Sequence, residues 1–330
     1  MAQAAPEVLG FEQTPSDPES AKKIEGKSPG RLFWDRFKQD KLAFLGLFLI
    51  AIFVILALGA PVIAKYVTHR GPNDISLAHE MRDPFFGLPK GPNETYLFGA
   101  DEAGRDVFIR VVYGARTSFQ VAVVATGISV AIGIVLGVIA GYYGGKIDTF
   151  ISRTIDIILS MPLLVFALGI GAACGVTADG CLGGLIEQGK LNGVIFVISA
   201  FSWPYIARIV RGNALSVREK EFVEASRSLG ASNRRIMFRE VLPNLIAPII
   251  VYTTLIIPQN ILFEAALSFL GVGVSQDIPS WGGMLNNAAE LFPEAWWYMF
   301  FPGLFLFLTT LAFNLVGDGL RDALDPRTGR

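Results

Sequence analysis

The stretch Glu221-Phe-Val-Glu-Ala-Ser-Arg-Ser-Leu-Gly-Ala-Ser-Asn-Arg-Arg-Ile-Met-Phe-Arg-Glu-Val-Leu-Pro243 decides how this chain reads. It is charged and helix-forming, yet it lies between two apolar runs long enough to cross a bilayer. Ser216 to Arg227 is rich in Glu, Arg and Lys with Val217, Phe222, Val223 and Ala225 interspersed, the pattern of an amphipathic helix. Gly230 ends it, because glycine accepts the left-handed backbone that a helix C-terminus often needs. A second short helix is expected from Asn233 to Val241, with Pro243 starting the next apolar span. A short helix closed by a tight glycine turn makes a knob. Ala225 and Ser226 are small enough to enter a groove, and Glu224 can pair with basic groups there, so the segment is suited to being gripped by a soluble partner.

Outside that insert the chain is strongly apolar. Of 330 residues 52% are hydrophobic and only 17% charged, which fits a polytopic membrane protein and not a soluble one. A spanning helix needs about 20 mostly apolar residues. Six such spans are expected, at Leu42–Ala64, Ser118–Tyr142, Phe150–Ala173, Gly193–Val210, Leu245–Leu270 and Trp296–Val316. The runs are continuously apolar rather than alternating, which favours helices over a barrel. Residues 1–30, rich in Pro, Glu, Ser and Lys, read as a disordered tail, and 31–41 as an amphipathic lead-in. They contain no apolar signal core, so the first span is expected to direct insertion. The remaining divisions are 42–117 for the first span and its loop, 118–316 for the core with the insert at 211–243, and 317–330 for a tail. The net charge of −1 averages over unequal segments, and no basic tract points to nucleic acid.

Lys and Arg near span ends set orientation. Arg31, Arg36, Lys38 and Lys41 precede the first span, and Arg208, Arg211, Arg218, Lys220, Arg227, Arg234, Arg235 and Arg239 surround the insert. Both regions are expected in the cytoplasm, and an even number of spans puts both termini there. The loop from Gly271 to Ala295 has no Lys or Arg and fits the outside. The loop Lys65–Thr117 carries several Arg residues and is the weak point of this topology. Cys174 and Cys181 then fall outside, where a disulfide and two free thiols are both open. No metal site is expected from two cysteines without neighbouring histidines.

The insert closely resembles the cytoplasmic coupling loop of bacterial ABC-importer permeases, whose EAA motif reads here Glu224-Ala225-Ser226 with Gly230 following. Four further blocks resemble the dipeptide/oligopeptide/nickel branch of that family, in its C-type subunit. They are Arg31-Leu-Phe-Trp-Asp-Arg-Phe-Lys38, Phe98 to Arg116, Glu264 to Gly273 followed by Pro279 to Leu285, and Asn314 to Pro326. The resemblance covers about Arg31 to Arg327. It implies the type I importer permease fold, with Glu224, Ala225, Ser226, Leu229, Gly230 and Ala231 coupling to an ATPase. It also implies a homologous B-type permease, two ATP-binding cassette subunits that bind ATP and Mg, and an extracellular substrate-binding protein as partners in the cytoplasmic membrane. Peptide cargo follows from the branch, with nickel or another small solute as the alternative. Departures are Ser226 for a second Ala, Ala100 for Thr, Glu240 for a basic residue before Leu242-Pro243, and a long loop between Cys174 and Lys190.

Polar residues within spans need partners, since charge in lipid costs about 2.5–3.5 kcal/mol on insertion scales. Arg153 and Asp156, three apart on one helix face, are expected either to neutralise each other or to line a pore. Glu264 is a pore or gating candidate, or else a helix-end residue. Gly133, Gly137 and Gly141 recur every fourth residue, a spacing that lets helices approach closely. Pro162, Pro204 and Pro258 are expected to kink or interrupt their helices. No Gly-x-x-x-x-Gly-Lys-Ser/Thr is present, so the ATPase is expected in separate subunits. An ATPase-independent channel is the rival from another class.

Overall fold

The computed structural model describes residues 29–175, 181 and 190–324. The disordered tail expected for residues 1–30 falls almost wholly outside them, as does most of the loop after Cys174 and the last part of the tail at 325–330. Among the described residues the chain is helical, with two isolated β-bridges in the loop before the second long helix. Helix α1 is Pro29–Phe37, α2 Lys41–Tyr66, α3 Val107–Tyr143, α4 Gly145–Ser160, α5 Leu163–Gly175 and α6 Leu191–Arg218. Helix α7, Glu221–Ser228, and α8, Asn233–Ile236, lead through a π-helical turn at Met237–Val241 into α9, Leu242–Phe269. Helix α10, Trp281–Ala288, and α11, Trp296–Leu324, complete the bundle.

Among the described residues five helices are long and apolar enough to cross a membrane, and a sixth crossing exists there as the bent pair α4–α5. The expected span Phe150–Ala173 is interrupted at Pro162 as its proline implies, with a bend of 80° at Met161–Pro162. The proline ring clashes with the backbone of the residue before it and pushes that residue to extended dihedrals. Met161 accordingly sits at φ −82°, ψ 134°. Pro204 and Pro258, by contrast, lie inside continuous helices. The long helices also run past the expected ends, α3 beginning at Val107 and α11 continuing to Leu324. Both extensions carry charge, Arg110 and Arg116 in the first and Asp318, Arg321 and Asp322 in the second, which keeps them out of the spans read from apolar length.

The separate helix expected over Asn233–Val241 is corrected, because α8, the π turn and α9 form one run from Asn233 to Phe269. Pro243 offers no N–H and crowds the carbonyl four residues back. The wider π turn just before it lets the helix continue.

Helices α3 and α6 form the tightest seam. A Cβ on Gly133 would come within 2.6 Å of Ile206, one on Gly137 within 2.7 Å of the Ala207 carbonyl, and one on Gly141 within 2.6 Å of Ala214. The glycine spacing thus serves close packing inside the chain. Polar groups in the bundle satisfy one another across helices, as the apolar surroundings demand. Asn260 on α9 donates to Thr126 on α3 (2.8 Å) and accepts from Ser202 on α6 (2.9 Å). Helices α1, α7 and the C-terminal part of α11 share one end of the bundle. The loop 67–106 and α10 cover the other.

Candidate functional site

Helix α7 projects from the end of the bundle on a single buried anchor. Val223 is fully buried in a cluster with Tyr142 of α3, Val210 and Ala214 of α6, and Ile236, Val241 and Leu245. The other side chains of α7 are exposed apart from Ser226, which is half-buried. Glu221 and Glu224 lie in the first turn and Arg227 in the last, the arrangement that the helix dipole favours.

The helix closes in a Schellman motif. The Ala231 N–H donates to the Ser226 carbonyl (3.1 Å) and the Gly230 N–H to the Arg227 carbonyl (3.0 Å), with Gly230 at φ +80°. Nothing lies within 4 Å of where a Gly230 Cβ would be, so the position is held open by conformation and by exposure rather than by packing. Leu229, just before it, is 88% exposed. With Phe222 and Phe238 it gives the knob an apolar rim. Glu224, Ala225, Ser226, Leu229, Gly230 and Ala231 are thus brought together on one small protrusion, and no basic group among the described residues pairs with Glu224.

Three contacts that sequence reading missed lock this knob to the bundle. Arg218 at the end of α6 donates from Nη1 to the carbonyls of Gly141 and Tyr142 at the end of α3 (3.2 and 3.4 Å). The Tyr142 hydroxyl donates to Asn233 Oδ1 (2.9 Å), and the Arg227 guanidinium stands 6.0 Å from the Tyr142 ring centroid. The basic residues were visible in the sequence, but their partners are some 75 to 90 positions away.

The remaining candidates lie elsewhere. Arg153 and Asp156 do not neutralise each other: Asp156 accepts from Arg208 of α6 at 2.5 Å, while Asp148 is paired with Arg211. Charges on the facing helix outcompete the neighbour on the same turn. Glu264 reaches no surface of the chain, being 0% exposed. Its two oxygens accept from Ser118 (2.9 Å) on α3 and Ser268 (2.8 Å) on α9. The carboxylate is thus an internal hub between α3 and α9. Cys174 and Cys181 are joined in a disulfide with Cα atoms 5.1 Å apart. No cluster of three or more metal-ligating side chains occurs among the described residues.

The fold is that of the membrane-spanning component of an ATP-binding-cassette importer. The chain belongs to the family of binding-protein-dependent transport system inner membrane components, whose profile matches residues 133–330. The N-terminal transmembrane domain of oligopeptide transport permease C matches residues 28–80. The dipeptide transport system permease protein DppC of Alkalihalophilus pseudofirmus is 38% identical over 313 residues, covering 95% of each chain. The glutathione transport system permease protein GsiD of Escherichia coli is 39% identical over 301 residues, 91% of each. In three dimensions the chain resembles the inward-facing MetNI methionine ABC transporter, with TM-score 0.53 and 19% identity over 65% of this chain and 96% of that one.

Proposed function

We propose that this chain is one half of the translocation path of an ATP-driven importer of short peptides. The α7 end faces the cytoplasm, where two ATP-binding subunits dock and bind ATP and Mg. A homologous B-type permease forms the other half, and an extracellular binding protein delivers cargo. Peptide cargo is supported by the dipeptide and glutathione permeases among the relatives, both named for molecules built from amide-linked amino acids. The α7-inward orientation is supported by the basic residues around the insert and by their absence from 271–295.

The observation that carries the coupling role is the contrast within α7. Its outer face presents Glu224, Ala225, Leu229 and Gly230 to solvent, while Val223 is rooted in a seam shared by α3, α6 and α9. A partner that grips the knob and moves it applies force to three spanning helices at once. Closure of the ATPases on ATP then tilts these helices, and alternating access follows as a rigid-body change.

Gly230→Arg tests this. A Cβ there meets no atom within 4 Å, and a left-handed non-glycine residue costs about 1–2 kcal/mol. Insertion and span packing are therefore expected to survive, while co-purification of the ATPases and peptide uptake are lost. Gly230→Asn, which tolerates the same backbone, is expected to retain most uptake. Full uptake by the arginine variant means that the knob does not couple.

A further inference from the structure

A cleft of about 650 Å³ lies where α1 meets α2, lined by Lys38, Lys41, Phe44, Leu45 and Phe48. On α2 the spacing of Lys41, Phe44, Leu45 and Phe48 puts all four on one helix face. Phe48 lies about 10 Å further along the axis than Lys41. The cleft therefore passes from two ammonium groups at its mouth to bare apolar surface within the depth of one leaflet, about 15 Å of hydrocarbon.

The opposite face of α2 is taken up by the bundle. Ala43 and Gly46 are buried there, and a Cβ on Gly46 would come within 2.7 Å of the Ala312 carbonyl on α11. The open face stays apolar beyond the cleft, with Ile55 and Val62 exposed in line with Phe48, as contact with lipid demands. Helix α1 is fixed beside it, because Phe33 and Phe37 pack on Leu320 and Ala323 of α11. That leaves Trp34 exposed at the mouth of the cleft, with the Lys38 ammonium 5.2 Å from its ring centroid. Tryptophan is enriched at the headgroup level of membranes.

Neither lysine is paired with a carboxylate among the described residues. The acid between them, Asp40, is occupied by the start of α2, its Oδ1 accepting from the Leu42 and Ala43 N–H groups (2.9 and 3.1 Å). We propose that this cleft holds an anionic phospholipid of the leaflet at the α7 end. Its phosphate lies between Lys38 and Lys41, and an acyl chain runs along Phe44, Leu45 and Phe48. Charge complementarity selects this occupant. An apolar helix of another subunit would bury two unpaired ammonium groups, which is costly, and a zwitterionic headgroup brings its own cation to the lysines.

The test uses the full chain, purified with its companion subunits, in nanodiscs of phosphatidylcholine with a small fixed share of phosphatidylglycerol. Bromine on the upper acyl chain of one lipid or the other quenches the indoles which that lipid touches. Subtracting the signal of Trp34→Phe isolates Trp34. At equal mole fraction, brominated phosphatidylglycerol is expected to quench Trp34 more than brominated phosphatidylcholine, by about fivefold for each lysine. Lys38→Gln combined with Lys41→Gln is expected to bring the two lipids to parity, and both positions are exposed, so the double variant keeps its fold. Equal quenching by the two lipids in the wild type, or a preference that survives in the double variant, overturns the proposal. Quenching by neither lipid also overturns it, because protein then covers the cleft.

Discussion

Glu264 shows how an ionisable side chain is kept inside a membrane bundle. Both of its oxygens accept hydroxyl hydrogen bonds, one across the α3–α9 interface and one along α9. Glu264→Leu leaves the Ser118 and Ser268 hydroxyls without their acceptor, at about 1–3 kcal/mol. A measurable fall in the thermal midpoint of the detergent-purified protein is expected, with a smaller fall for Glu264→Gln, which keeps one carbonyl acceptor. A leucine variant as stable as wild type means that the hydroxyls are satisfied by helix carbonyls and that the carboxylate is dispensable to the fold. Gly230 is governed by conformation instead. Its φ of +80° is imposed by the two Schellman hydrogen bonds, and no neighbour restricts its size.

At the scale of elements, glycine acts through size. Gly137→Leu drives a side chain into the Ala207 carbonyl and Val210, where even a Cβ meets atoms at 2.7–2.8 Å. Overpacking of this kind costs about 1–3 kcal/mol or more. The prediction is little folded protein in the membrane fraction, whereas Gly127→Leu on the same helix, with nothing within 4 Å, accumulates normally. Equal accumulation of the two variants means that α3 and α6 can separate without harm. This seam was legible in advance, since a four-residue spacing of small residues is a local pattern. So were the spans, the α7 turn and the break at Pro162, each set by composition or by one residue's backbone limits. The pairing of Asp156 was not legible. Arg153 is three residues away and Arg208 fifty-two, and only the packing of α4 on α6 brings the distant one closer. The continuity of α8 into α9 was hidden for another reason: a proline reads as a helix start unless a π turn absorbs it.

Taken whole, the molecule is tied at both ends by arginines. At the α7 end Arg218 closes α6 onto the last carbonyls of α3. At the opposite end Arg110, 2% exposed, donates to the Pro72 carbonyl (3.0 Å), Asn73 Oδ1 (2.8 Å) and the Gln276 carbonyl (3.0 Å). It thereby joins the 67–106 loop to the turn between α9 and α10 through α3. Asp101, fully buried, is shared between Arg105 (2.6 Å) and Arg110 (3.5 Å). With its 37 residues α3 runs about 55 Å, longer than a bilayer with its headgroups, so one rigid element connects the two clamps. Motion delivered at α7 can in this way reach the loop on the far side without a relay of small shifts. Arg110→Ala removes three charge-assisted hydrogen bonds, each worth about 1.5–3 kcal/mol, but Asp101 keeps Arg105 and the helix itself is untouched. The loop is therefore expected to loosen while the bundle stays folded. Limited proteolysis of the purified chain checks this, with cleavage within 67–106 at least tenfold faster than in wild type and the fragment from α3 onward intact. A loop as resistant as before means that its internal turns hold it and that Arg110 is not the clamp. Cleavage throughout the chain means instead that Arg110 supports the bundle as a whole.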